Sequence, residues 1–225
     1  MTIGLCNCRQ DDGDNLRPGG SELNDRRVGA SAREILSAAD YQSVEVEIQY
    51  MPGYEPEEAT VNNLRNFLNE LINKPAGMQI HVNEIPASAK ERLSAEEIEK
   101  IEEEYRTVYT EGPKLGIYLA YKNTSMALFG KTIHDNTGGL AKPSRVKLET
   151  TVMEHEFGHI MGLVHTGSPM QSNHQDPEHG SHCNNGECLM YYASETTAVL
   201  DFLVSSPVPG LDAACRNDLK ANGGK

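Results

Sequence analysis

Residues 155–165 read His155-Glu156-Phe157-Gly158-His159-Ile160-Met161-Gly162-Leu163-Val164-His165. No other stretch of the chain constrains its fold as strongly. At 3.6 residues per helical turn, His155 and His159 fall on one face, one turn apart. Two imidazoles at that spacing can hold one zinc at about 2.0–2.1 Å from each nitrogen. Glu156 follows the first of them and can serve as a base toward a reacting water without being a ligand. Gly162 can end the helix, because glycine enters the left-handed region at little cost. A sharp turn there would bring His165 back as a third ligand. Three protein ligands with one open position distinguish a catalytic zinc site from a closed, four-ligand structural one.

The rest of the composition narrows the setting. The chain has 225 residues, enough for one sizeable domain and short for two. A net charge of −13 argues against nucleic acid as a partner. No apolar run approaches the roughly 18 residues needed to span a bilayer, and the sequence reads as a soluble, monomeric domain. The acidity is spread along the chain apart from Glu96 to Glu104, which reads as a solvated helix face. Residues 1–25 are polar and read as a disordered tether. Residues 26–225 read as a single domain, with an upper part over 26–165 and a lower part over 166–225. The opening Met1-Thr2-Ile3-Gly4-Leu5-Cys6-Asn7-Cys8 looks like the tail of a bacterial lipoprotein signal, in which a small residue precedes a lipid-bearing cysteine. On that reading the domain sits in the cell envelope or outside the cell, touching membrane only through an N-terminal lipid. The alternative is an ordinary start whose cysteines have no role.

Periodicity sets out the elements between. A short helix is expected over residues 31–39, and Val44 to Ile48 alternates apolar and acidic residues as a half-buried strand does. Val61, Leu64, Phe67, Leu68, Leu71 and Ile72 form the stripe of an amphipathic helix over 56–73. Met78 to Val82 reads as a second strand. Ser94 with Glu97 is a capping box that opens a helix running to about Tyr109. Further strands are expected at Leu115 to Tyr121 and Ser125 to Phe129, then one long helix from about Lys147 to Val164. Residues 171–186 are polar and aperiodic, a long loop whose His174, His179 and His182 read as a solvated surface, with a second metal site as the alternative. Helices over about 194–203 and 211–221 close the chain. The order gives an α+β fold, a mixed twisted sheet backed by helices.

At His155 to His165, and at the downstream run Cys188-Leu189-Met190-Tyr191-Tyr192, the chain resembles the metzincin clan of zinc peptidases. The resemblance implies that Met190 forms an apolar floor beneath the metal. It also implies that the strand nearest the motif helix, Ser125 to Phe129, is an edge to which substrate can add. In two branches of the clan a tyrosine at the position of Tyr192 stabilises the developing oxyanion. The pattern Cys183-x4-Cys188-x-Met190 is similar to that of archaemetzincins, in which four cysteines hold a second, structural zinc. Two features depart from it. The family places the first of these cysteines directly after the third histidine, whereas 17 residues separate His165 from Cys183. The later cysteine pair is incomplete, since Asp212-Ala213-Ala214-Cys215 has Asp where the first Cys should stand. Two states of these cysteines follow: a Cys183–Cys188 disulfide, favoured in an oxidising compartment, or a second zinc on Cys183, Cys188, Cys215 and Asp212.

Together these residues imply a metalloendopeptidase acting on a peptide or protein substrate. Zn2+ would be held by His155, His159 and His165, with Glu156 as general base and Tyr192 as a second catalytic residue. An aminopeptidase or other amidase on the same metal is the alternative within enzymes. A zinc-containing lipoprotein that binds without cleaving is the alternative outside them; Glu156 separates the two, because a pure binding module has no use for a carboxylate there.

Overall fold

The computed structural model describes residues 28–88, 90, 93–121, 130–195 and 198–225. Three strands, β1 (Ser43–Tyr50), β2 (Met78–Glu84) and β3 (Lys114–Tyr121), form a parallel sheet in the order β2-β1-β3. Val46 lies opposite Ile80 on one side and Ile117 on the other. Parallel neighbours require crossovers. These carry α2 (Glu58–Leu71) between β1 and β2, and α3 (Ala95–Tyr105) between β2 and β3. A short α1 (Ala32–Leu36) precedes the sheet, and α4 (Gly130–Asp135), α5 (Arg145–Ile160), α6 (Ala198–Ser205) and α7 (Ala213–Ala221) follow it. The class is α+β, as expected. The expected strand at Ser125 to Phe129, the tether and Cys6 and Cys8 lie outside the described residues. Among the described residues, no helix is long and apolar enough to cross a membrane.

Several boundaries shift for local reasons. The α3 capping box forms as the sequence implies, with Ser94 accepting from the Glu97 amide and Glu97 from the Ser94 amide. That helix nonetheless stops at Tyr105, four residues short of Tyr109, because Thr107 and Val108 turn their amides onto another partner. This partner is Glu47. The alternation in β1 implies one solvated face, yet Glu47 is wholly buried and Gln49 nearly so. The Glu47 carboxylate accepts from the Thr107 amide and hydroxyl, the Val108 amide, Gln49 and Asn83. Burial raises this carboxyl, and the Thr107 and Val108 hydrogen bonds more than reverse the effect. The acidic residue is thus a buried cross-brace between the sheet and the segment after α3.

The apolar face of β1 (Val44, Val46 and Ile48) belongs to one hydrophobic cluster. It takes in Leu64, Leu68 and Leu71 of α2, Leu148, Val152 and Phe157 of α5, and Leu203, Leu211 and Leu219 near the C-terminus. Helix α5 lies at its centre. Ser144 caps it by accepting from the Lys147 amide, and every residue from Leu148 to His159 is buried. Glu149, with no exposed surface, accepts from Arg145, the Glu57 amide and the Thr60 hydroxyl. These bonds tie α5 to the start of α2.

Glu154 is buried on the same helix, and burial, with the nearby Glu70 carboxylate, pushes its pKa up to about 7. The folded chain therefore holds a proton that the unfolded chain releases near pH 4.5, so stability falls as pH rises from about 4.5 to 7 and levels off above. Each pH unit in that window is worth at most about 1.4 kcal/mol. Glu154→Gln cannot ionise. Its Tm should match that of the parent at pH 4.5 and exceed it by roughly 5 °C at pH 8. Scanning calorimetry at the two pH values checks this; an equal offset at both would locate the effect in packing rather than charge.

Candidate metal centres

The expected helix over 147–164 ends at Ile160, and the turn that follows decides where the histidines go. Gly162 has φ +79°, and a Cβ there would meet the Ser168 amide nitrogen at 2.4 Å and the Ala32 Cβ at 2.8 Å, so only glycine fits. The chain then passes through Val164 at φ +51° and His165 at φ +74°. Leu163 and Val164 turn into the core. His165 is left exposed. It does not join His155 and His159.

The third imidazole is that of His182. The ligating nitrogens of His155, His159 and His182 all lie within 4.8 Å of one another, a grouping that could hold a metal ion. The Nε2 atoms of His155 and His159 are 3.1 Å apart. His155 Nδ1 is 2.7 Å from the Leu189 carbonyl oxygen, and His182 Nδ1 is 2.6 Å from that of His179. A carbonyl only accepts, so both rings carry their proton on Nδ1 and present the Nε2 lone pair. Burial, with the His155 and His182 rings beside it, holds the His159 pKa well below the usual range. Imidazole nitrogens that converge in this way fit a cation. Donors about a tetrahedral ion at roughly 2.0–2.1 Å stand about 3.3 Å apart, close to the separation of His155 and His159.

Glu156 is buried beside the first of these histidines. Met190 lies against the middle of the motif. A Cβ added to Gly158 would fall 2.2 Å from Met190 Sδ, so the methionine fills the space that the glycine leaves on α5. Met190 is itself fully buried. Tyr192 is half-buried, its ring parallel to that of His179 with centroids 3.6 Å apart. Asp176 Oδ2 holds His179 Nδ1 at 2.7 Å. Tyr192 therefore stands next to the residue whose carbonyl orients His182.

A second group lies directly behind this one. Cys183, Cys188 and Cys215 are buried free thiols, so the Cys183–Cys188 disulfide expected from the sequence is not formed. Cys188 lies within hydrogen-bonding reach of both Cys183 and Cys215. Cys188 Sγ is 3.7 Å from Cys215 Sγ, while His174 Nδ1 lies 3.4 Å from Cys183 Sγ and 3.8 Å from Cys215 Sγ. Donors sharing one tetrahedral zinc at about 2.0–2.3 Å would stand roughly 3.3–3.8 Å apart. His174 Nε2 meets Asp218 at 2.7 Å, the carboxylate support common behind metal-ligating imidazoles. Hydrogen bonds from the Cys183 and Cys215 thiols hold Cys188 well below the usual thiol range, which favours the thiolate that metals bind. Asp212 is within reach, and His174, Cys183, Asp212 and Cys215 form a group that could hold a metal ion. Its Oδ1 caps α7 by accepting from the Cys215 amide, while its Oδ2 accepts from Asn185 and lies 3.4 Å from Cys183 Sγ.

Sequence reasoning favoured a solvated surface for His182 and His174 and gave a metal site on these loop histidines only as the alternative, with neither assigned to a centre. A signal for the first was present: His182 directly precedes Cys183, where an archaemetzincin pattern has its third histidine. His174 offers no such signal, because its role depends on how the loop folds back. Comparison of the chain with family models, curated proteins and solved structures finds no match.

Gly158→Ala places a methyl group against Met190 in a core with no spare room. The variant should lose about 1–3 kcal/mol of stability, read by urea denaturation. A change within a few tenths of a kcal/mol would mean that Met190 moves aside freely.

Proposed function

We propose that the chain is a zinc-dependent metalloendopeptidase of the metzincin type, closest in pattern to archaemetzincins, with its metal on His155, His159 and His182. The observation that carries this reading is the convergence of three imidazoles, two of them fixed by backbone carbonyls as Nε2 donors, around a buried helix that also carries Glu156. The adjacency of His182 and Cys183 supports the family reading, since it removes the spacing anomaly that His165 creates.

Bound there, zinc supplies Lewis-acid polarisation of a carbonyl and brings the pKa of water to about 7. The chain's own residues do the rest. Glu156 takes a proton from the attacking water and delivers it to the leaving amine, base and then acid in one cycle. His155 and His182 keep their rings oriented through the Leu189 and His179 carbonyls. Met190 excludes water from beneath the site. Tyr192, whose ring stacks on His179, would donate to a developing oxyanion, as the metzincin resemblance implies. The thiols with His174 form a second, structural zinc site of four ligands, with no open position for chemistry.

Two measurements test the assignment. Elemental analysis should show that His182→Ala loses the histidine-centre zinc while His165→Ala keeps it; the reverse would restore His165 as ligand. Glu156→Gln should retain metal and fold, with cleavage of a peptide library reduced by about 10²–10⁴-fold. Parental turnover in the metal-loaded variant would remove Glu156 from the mechanism.

A further inference from the structure

The two groups of ligands are joined by backbone. Residues 174–176 pair antiparallel with residues 182–184: the Asp176 amide donates to the His182 carbonyl at 2.7 Å and the Asn184 amide to the His174 carbonyl at 2.8 Å, with Gln175 bridged to Cys183. This hairpin carries His174 on one strand and both His182 and Cys183 on the other. Adjacent residues of one extended strand point to opposite faces. His182 therefore points to the histidine centre while Cys183 points to the cysteine centre. The same arrangement recurs a few residues on. Cys188 belongs to the cysteine centre, and the next residue, Leu189, supplies the carbonyl that orients His155. The Cys183 amide donates to the Met190 carbonyl, closing the two segments on each other. The Leu189 and His179 carbonyls that aim His155 and His182 thus lie one residue from Cys188 and four from Cys183.

Resting on the assignment of both centres above, we propose that they are coupled: metal on His174, Cys183, Cys188 and Cys215 fixes the hairpin and the Leu189 carbonyl, and thereby forms the histidine centre. Without it, the hairpin that carries His182 and the segment that carries the Leu189 carbonyl are held by hydrogen bonds alone. Thiolates hold a divalent metal more tightly than neutral imidazoles do, so the cysteine centre fills first, and the histidine centre reaches its full affinity only in the half-loaded protein. This makes His174 and Cys215 positioning residues for a site neither touches. Outer-shell support of this kind changes metal affinity by about 10–100-fold. Because coupling between sites is reciprocal, each metal must strengthen the other by the same factor.

Cobalt(II) added to the metal-stripped full-length chain tests the order, since thiolate-bound cobalt has an intense charge-transfer absorption that imidazole-bound cobalt lacks. The thiolate band should be complete at one equivalent, and the weaker visible bands of the histidine centre should grow with the second. Filling of the histidine centre first would overturn the proposal. In Cys215→Ser, the histidine centre should bind cobalt at least tenfold more weakly than in the parent. Parental affinity there would refute the coupling and leave the function proposed above intact. His159→Ala separates the remaining case: it should keep the thiolate band, and loss of that band would mean that the cysteine centre itself is misassigned. Where Cys215→Ser fails to fold, Asp218→Asn, which disturbs the support of His174, serves in its place: the histidine centre should again bind cobalt more weakly, and parental affinity there would refute the coupling.

Discussion

Everything in this fold answers to the burial of α5. Twelve consecutive residues, Leu148 to His159, are out of water, and seven of them carry polar side chains. A polar group buried without a partner costs about 1–3 kcal/mol by mutational measures. A helix of this composition is therefore stable only where the surrounding chain meets each group. Arg145, Thr60 and the Glu57 amide meet Glu149, Asn63 meets Thr150, and Thr151 bonds back to the Lys147 carbonyl. The histidines are met from the other side, by Leu189 and by the loop that brings His182. One end of the helix is thus held by α2, and the other by the segment that supplies the ligands.

The buried carboxylates show how differently one residue type can be treated. Glu47 is surrounded by amide and hydroxyl donors and held as an anion, which pins the segment after α3 to the sheet. Glu154 has burial and a neighbouring negative charge, which push it toward the neutral form. The first arrangement stabilises the fold at neutral pH and the second works against it. A stability cost in the turn before His155 is the kind of local conflict that proteins retain near functional groups.

The sheet and the helices were legible because their signals are local. The stripe of α2, the Ser94–Glu97 capping box and the alternation of β1 and β2 each lie within a dozen residues and fixed the element types. What was not legible depended on contacts distant in sequence. The polar face of β1 reads as solvated until Thr107 and Val108, some 60 residues away, are seen to cover it. The site divides in the same way. His155, Glu156 and His159 follow from helical spacing alone, whereas the third imidazole and His174 depend on a hairpin that closes within an aperiodic loop. His165 was the nearer candidate by spacing, but Leu163 and Val164 take the inward positions of the turn and leave it in solvent.

The distance along the chain between the second and third imidazoles has a consequence of its own. His165 stands 6 residues beyond His159, and His182 stands 23 beyond. Loop-closure entropy grows only as the logarithm of length, so drawing the third imidazole from the farther position costs about 1 kcal/mol more. That is small beside the strength of a metal–imidazole bond. The segment between the helix and the hairpin is therefore nearly free to lengthen, shorten or acquire new surface without changing the constellation at its ends. A chain of this design can keep its geometry while its spacing drifts, and a rule written as a fixed interval would then settle on whichever histidine stands at the customary count.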